Sequence, residues 1–302
     1  MNRKWLGSLA VVCLLACSCA KDNTAGEDLT LKFKGSISNL QATTNTGGGA
    51  ATAWSNVDEI GIFMVDHNTT NVTEQHGNRQ YRYNGTAFSP VAGHEIYYPV
   101  SDTKVDFLAY YPYTNSANLE ADLPIDVSKQ DKLADIDVLW AKSNNSSAGF
   151  SKTTGVDVPL IFDHKLAKIV IATVAGDGLD AQDPAWKDMA VKIEGMDTKT
   201  SLDLATGQLG QSSAPAVIVP FVRVKGSAYD AIVLPAEFTS AGAVSFTFTI
   251  GADTYVWKSG ANEKFEAGKQ YNYSITISKT AVTLDNITIQ DWTTVSRTGV
   301  AN

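Results

Sequence analysis

An all-β fold, arranged as two β-sandwiches in tandem, is the class this sequence predicts, and three observations predict it. Nearly every apolar stretch alternates with a period of two residues or forms a short β-branched and aromatic run, both of which are strand signals. Turn residues recur roughly every 8–12 positions, the spacing of sandwich strands. No segment carries a convincing helical stripe longer than two turns. The 302 residues exceed one ordinary sandwich and suit two units of ~130–150 residues.

Taken in order, Leu29-Thr30-Leu31-Lys32-Phe33 alternates cleanly, and residues 41–52 are a Thr-, Gly- and Ala-rich loop. Strands follow at 59–65, 79–83 and 95–98, the last ending at Pro99. Residues 104–111 place Val105, Phe107, Ala109 and Tyr111 on one face. A strand at 136–141 leads into a Ser/Asn/Gly loop, and residues 142–155 are the expected domain boundary. The pattern then restarts with strands at 156–162 and 165–174, and an acidic turn region spans 175–184. Strands are predicted at 189–193, 201–204, 217–222, 229–234, 244–250 and 253–257. Tyr271–Ile277 is the cleanest alternation, followed by 281–285 and 287–292. The expected organisation is a leader at 1–16, a polar tether at 17–28, an N-terminal sandwich at 29–155 and a C-terminal sandwich at 156–302.

Cysteines occur only at 13, 17 and 19. The folded part therefore has no disulfide, zinc cluster or cysteine nucleophile, and its stability rests on burial and sheet hydrogen bonds. Arg3 and Lys4 precede the apolar run 5–16, which is far shorter than the ~20 residues of a membrane span. Leu14-Leu15-Ala16-Cys17 resembles a bacterial lipobox, with Cys17 the acylated residue and Cys19 the alternative. Two or more acyl chains anchor a protein stably, so the mature chain is expected to be tethered to a membrane rather than to span it. The net charge of −8 and the scattered Lys and Arg exclude nucleic acid as a partner.

Several further segments carry a resemblance. In order they are WSNVDEIGIFM (54–64), Tyr97–Pro99, VDFLAYYPY (105–113), DVLWA (137–141), LIFDHKLAKI (160–169), Thr198–Gly207, IVLP (232–235), Phe265–Thr280 and Ile287–Trp292. With the lipobox, they make the chain similar to the fimbrillin family of Bacteroidales, the Mfa-like and FimA-like pilus subunits, and most of all to its Mfa-like branch. The resemblance implies two transthyretin-like β-sandwiches, export as a palmitate-bearing lipoprotein of the outer membrane, and adhesion. It also implies that the first strand is removed by proteolysis and that a neighbouring subunit's donor strand fills the groove. An emptied sheet edge is a template for another chain, with main-chain bonds giving affinity and alternate side chains filling pockets. Here the removable strand would be Leu29–Ile37, with Leu29, Leu31 and Phe33 inward. The candidate donor is Ala281–Trp292, with Val282, Leu284, Ile287 and Ile289 as plugs and a break or bulge at Asp285-Asn286.

One departure stands against the family pattern. There is no Arg between Arg3 and Arg79, so the candidate processing sites are Lys32 and Lys34, and shaft, tip and anchor roles all stay open.

Catalysis finds no support. Asp163 and His164 are adjacent on a strand and so face opposite ways, and no nucleophile motif accompanies them. His67, His76 and His94 lack zinc spacing. The clusters Asp131/Asp135/Asp137 and Asp177/Asp180/Asp183 could offer oxygen ligands to Ca²⁺, but neither has EF-hand spacing, and both read as solvated loops. Neither a cofactor nor a metal is expected. Tyr97, Tyr98, Tyr110, Tyr111 and Tyr113, with Trp140 and Trp186, read as core aromatics or as sugar-stacking platforms. Two functions therefore compete. One is a fimbrial subunit whose partners are other subunits, the outer membrane and a host protein or glycan. The other is a lipid-anchored carbohydrate-binding module of a glycan uptake system. A surface hydrolase ranks third.

Overall fold

The computed structural model describes residues 29–38 and 54–292. Cys17, Cys19 and the whole loop expected at 41–52 lie outside the described residues. The chain is all-β. Its strands are β1 (Lys32–Ile37), β2 (Glu59–Asp66), β3 (Arg79–Tyr83), β4 (Phe88–Pro90), β5 (Val105–Tyr111), β6 (Leu123–Asp126), β7 (Leu139–Ser143) and β8 (Asp157–His164). They continue with β9 (Ala167–Ala175), β10 (Ala190–Glu194), β11 (Asp197–Asp203), β12 (Gln208–Leu209), β13 (Ser213–Pro215), β14 (Phe221–Val224) and β15 (Ala228–Val233). The last are β16 (Ala236–Phe238), β17 (Ser245–Ile250), β18 (Asp253–Lys258), β19 (Glu263–Phe265), β20 (Lys269–Ser278) and β21 (Ala281–Asp291). The α-helices described are single turns, α1 (Leu133–Ile136) and α2 (Pro184–Lys187). Among the described residues no helix is long and apolar enough to cross a membrane.

The first sheet closes on itself in the order β1-β4-β3-β2-β5-β7-β8. β1 makes the closure, antiparallel to β4 and parallel to β8. Its core holds Phe33, Ile62, Phe107, Leu160 and Phe162. In the second half, the five-stranded sheet β14-β15-β9-β20-β21 faces the three-stranded sheet β10-β17-β18. Ile169, Ile171, Tyr229 and Tyr273 of the larger sheet share a core with Val191, Phe246, Phe248 and Trp257 of the smaller one, which is sandwich packing.

Two expectations are corrected here. Residues 157–164 do not open the second sandwich. As β8 they pair with β7 and β1 and complete the first sheet, so 142–155 is a connection within that sheet and the chain leaves it only after His164. Alternation identifies a strand but not the sheet it joins. Residues 95–98 are not a strand, although Ile96 is buried and its carbonyl accepts from Leu31 N at 3.0 Å.

A third apolar cluster links the two halves. Phe63, Val65, Leu108 and Tyr110 enter it from the outer faces of β2 and β5, and meet Leu202, Ile232, Leu234 and Trp292. β2 and β5 are thus buried on both faces, which is why their sequences read as continuous apolar runs. β6 reinforces the junction by pairing antiparallel with β11. Gly61 is required by this packing, since a Cβ there would lie 2.1 Å from the Tyr110 ring.

Burial on both faces has a measurable consequence. Leu108→Ala should cost ~2–5 kcal/mol, as a core truncation does, although Leu108 points out of the first sheet's own core. Ile161→Ala, at a side chain 61% exposed on β8, should stay within about 0.5 kcal/mol of wild type. Urea unfolding midpoints of the two variants check both expectations.

Candidate functional site: the first and last strands

β1 is short, lies at one end of the described chain and is indispensable to closure. Six consecutive parallel pairs join it to β8, from Lys32↔Asp157 to Ile37↔Phe162. Its link to β4 is the single pair Phe33↔Phe88. Leu31, Phe33 and Ile37 point inward and are at most 3% exposed. Phe33 packs edge-on against Tyr81 and Phe107, with ring centroids 5.0 and 5.1 Å apart. Between Phe33 and Ile37 the inward position is Gly35. A Cβ there would sit 2.7 Å from Phe88, and the Trp54 indole donates to the Gly35 carbonyl at 3.0 Å. The seat of β1 is therefore large, large, small, large.

The expected inward set changes in one member. Leu29 is 62% exposed, because it precedes the first sheet hydrogen bonds, Leu31 N to Ile96 O and Lys32 N to Val156 O. Ile37 takes its place in the core. Lys32 and Lys34 both lie inside the paired strand, and Lys34 carries a surface ion pair to Asp157 at 2.7 Å.

β21 forms one edge of the five-stranded sheet and is paired only with β20. The register shifts at Asp285, the extra residue of a bulge, whose carboxylate accepts from the Thr276 hydroxyl at 2.6 Å. The bulge corrects the phase of the strand. Val282, Leu284, Ile287 and Ile289 all stand opposite core residues of β20, namely Ile277, Ile275, Tyr273 and Tyr271. Four plugs on an uneven spacing thus share one face. That face is only half covered: Val282 and Ile287 touch the core, while Leu284 and Ile289 are 36% and 59% exposed.

The far end of β21 is clasped. Lys269 Nζ meets Asp291 Oδ1 at 2.5 Å, and this hydrogen bond, with the charge behind it, raises the amine's pKa. Trp292 is 3% exposed, donates its backbone N–H to Gly268 O at 2.8 Å, and stacks flat on His164 with centroids 4.1 Å apart. His164 is the last residue of β8, the strand that holds β1. Its Nδ1 pairs with buried Asp137 at 2.8 Å, and its Nε2 is buried without a hydrogen-bond partner among the described residues. Asp163 faces the other way and accepts a short hydrogen bond from the Ser38 hydroxyl. No sequence signal linked His164 to Asp137 or Trp292, since these contacts join distant segments.

Several of the remaining candidates are structural, while Tyr97 is 46% exposed. Asp180 and Asp183 cap backbone N–H groups of their own turn at 2.8 Å. Among the described residues no group of three His, Cys, Asp or Glu could hold a metal. Tyr81 and Tyr110 are buried, and desolvation raises their pKa. Trp186 is 3% exposed in the sandwich core. Trp140 has one flank against Gly207, where a Cβ would lie 2.6 Å away, and Lys165 Nζ lies 5.7 Å from the ring centroid. Neither tryptophan offers an open face for a sugar.

Comparisons with known proteins agree with this architecture. A sequence profile of the family described as Fimbrillin-like matches residues 24–292. Fim1C of Bacteroides uniformis, provisionally named a fimbrium subunit, is 32% identical over 253 residues, covering 80% of this chain and 79% of its own. A crystal structure from Bacteroides uniformis, provisionally assigned as a cell adhesion protein, superposes with a TM-score of 0.70 at 28% identity, covering 89% of this chain and 99% of its own. A fimbrial protein of Bacteroides vulgatus shares the fold, with a TM-score of 0.54 at 13% identity over 87% of this chain and 99% of its own.

The clasp on β21 can be tested directly. Trp292→Ala should speed amide exchange in residues 281–291 by about tenfold or more, while β9 and β15 stay slow, because edge strands open locally. Hydrogen exchange read by mass spectrometry resolves the two regions.

Proposed function

Because the chain belongs to the fimbrillin-like family, we propose that it is a structural subunit of a surface pilus that joins its neighbours by exchanging a β-strand. One observation carries the reading. The first sheet is closed by a strand that is terminal in the described chain, seated by three side chains and one glycine, and held almost wholly by β8. Taking β1 away leaves the rest of the chain continuous. It bares the main chain of β8 and an apolar trough lined by Phe88, Phe107 and Phe162. Such an edge is satisfied by a strand from another molecule. At the other end, β21 offers four apolar side chains on one face, two of them already well exposed, so releasing it forfeits less burial than releasing an inner strand.

The basic residues around β1 bear on the position in the pilus. Lys32 and Lys34 lie within the paired ladder, and the next Lys or Arg is Arg79. A Lys- or Arg-directed cut therefore has no site that frees the whole strand before β2. This favours a subunit that keeps β1, fills its own groove, and gives a strand without taking one. With an acyl group on Cys17, or on Cys19 as the alternative, that subunit would sit at the outer membrane as an anchor. Adhesion enters from the assignments of the neighbouring structures.

Two measurements test the reading. A chain beginning at residue 39 should bind a peptide of residues 29–38 one to one and regain thermal stability, and the peptide carrying Phe33→Asp or Gly35→Leu should not rescue it. A truncated chain that stays fully stable and ignores the peptide would sink strand exchange. Mass spectrometry of the mature N-terminus on cells then separates the roles. An acylated Cys17 is expected for the anchor, and a new terminus after Lys32 or Lys34 would mark a shaft subunit instead.

A further inference from the structure

The outer face of the five-stranded sheet carries a second feature that strand exchange does not use. β14 pairs with β15 only as far as Asp230 on this side, so the backbone of Ile232 would be an open edge. The buried Gln130 side chain closes it. Its Oε1 accepts from Ile232 N at 2.8 Å and its Nε2 donates to Ile232 O at 2.9 Å, an amide standing in for a strand. This clamp lays residues 131–135 along the sheet and leaves an open groove of ≈840 Å³ beside them, within the size range of ligand sites.

The register explains what lines the groove. Phe221, Asp230, Val170 and Asn272 form one straight row across β14, β15, β9 and β20. Lys168 and Gln270 form the next row. The Asp230 side chain is 9% exposed and shared by two cations: Arg223 Nε donates to Oδ1 at 3.0 Å, and Lys168 Nζ lies 3.7 Å from Oδ2. The floor thus keeps one positive charge in excess. The terminal amino groups of Arg223 carry no hydrogen bond among the described residues. Gln270 Nε2 donates to Asn272 Oδ1 at 2.7 Å and Asn272 Nδ2 donates to Thr288 O at 3.4 Å, and both carboxamides line the groove, with the Gln270 carbonyl free to accept. Phe221, 37% exposed, closes one end. Asp131, Lys132 and Asp135 stand on the rim.

We propose that this groove binds an acidic oligosaccharide. The planar Arg223 fork, with Lys168 beside it, matches a sugar carboxylate. The carboxamides serve hydroxyls as both donors and acceptors, and the Phe221 ring covers the apolar face of a pyranose. With Asp131 and Asp135 offsetting Lys132 and the floor cations, the groove as a whole has no positive excess to hold a polyanion such as nucleic acid, whereas a sugar chain sets one carboxylate on Arg223 and its hydroxyls on the carboxamides. Arg223, Asp230, Lys168 and Phe221 lie on strands that do not pair with β1 or β21, while Gln270 and Asn272 belong to β20, the partner of β21.

Calorimetry or saturation-transfer NMR on the purified chain tests the assignment, with N-acetylneuraminyl-lactose and trigalacturonate as probes and lactose and inorganic phosphate as comparisons. At least one acidic probe should bind, about tenfold or more tighter than lactose, because a hydrogen bond to a charged group is at stake. Arg223→Gln should remove that preference, and Phe221→Ala, at an exposed edge, should weaken acidic and neutral sugars alike without shifting the thermal midpoint. Lack of binding by both acidic probes to the folded protein would overturn the proposal. So would binding unchanged in both variants, or phosphate bound as tightly as the sugars.

Discussion

The architecture of the first half depends on one strand being in one place. β1 lies parallel to β8 and antiparallel to β4, and without it the sheet is an open strip. The pairing is lopsided, with six residue pairs on one side and one on the other. Most of the grip therefore comes from the side chains beneath, Leu31, Phe33 and Ile37, and from the closeness that Gly35 allows. A protein with no cysteine after residue 19 has no covalent means of holding its first strand. Hydrogen bonds and burial hold it, and both can be supplied equally well by a strand of another chain.

The third apolar cluster makes the two halves mechanically continuous. The outer faces of β2 and β5 are buried against residues of the second half, and Trp292 ends the last strand in the same cluster. Trp292 stacks on His164, which closes β8, and β8 carries β1. The seats of the first and last strands thus share a neighbour. Packed side chains of this kind move together rather than independently, so β1 and β21 are joined through β8 although they lie in different sheets.

Much of this was readable from residue order. The alternation of Tyr271–Ile277 and the runs at 59–65 and 104–111 identified their strands to within a residue or two. The offset at Asp285-Asn286 marked the bulge, because two alternations out of step can share a face only if one extra residue intervenes. The short strands β4, β6, β12, β13, β16 and β19 were not legible, since two to four residues leave no period to detect. Leu29 was misplaced because alternation continues past the point where hydrogen bonding begins. Trp140 and Trp186 could not be separated from binding aromatics by type alone, since what covers them comes from Gly207 and from the sandwich core.

Composition and period therefore determined that the chain is built of strands, that they carry no disulfides, and which residues of each strand share a face. Those are local properties, set by backbone geometry over a few residues. Which sheet each strand enters, that β8 belongs with β1, that His164 meets Asp137 and Trp292, and that Arg223, Asp230 and Lys168 converge on one groove were decided only by tertiary pairing. Each of those contacts joins segments remote in sequence, and a period of two says nothing about the partner across the sheet.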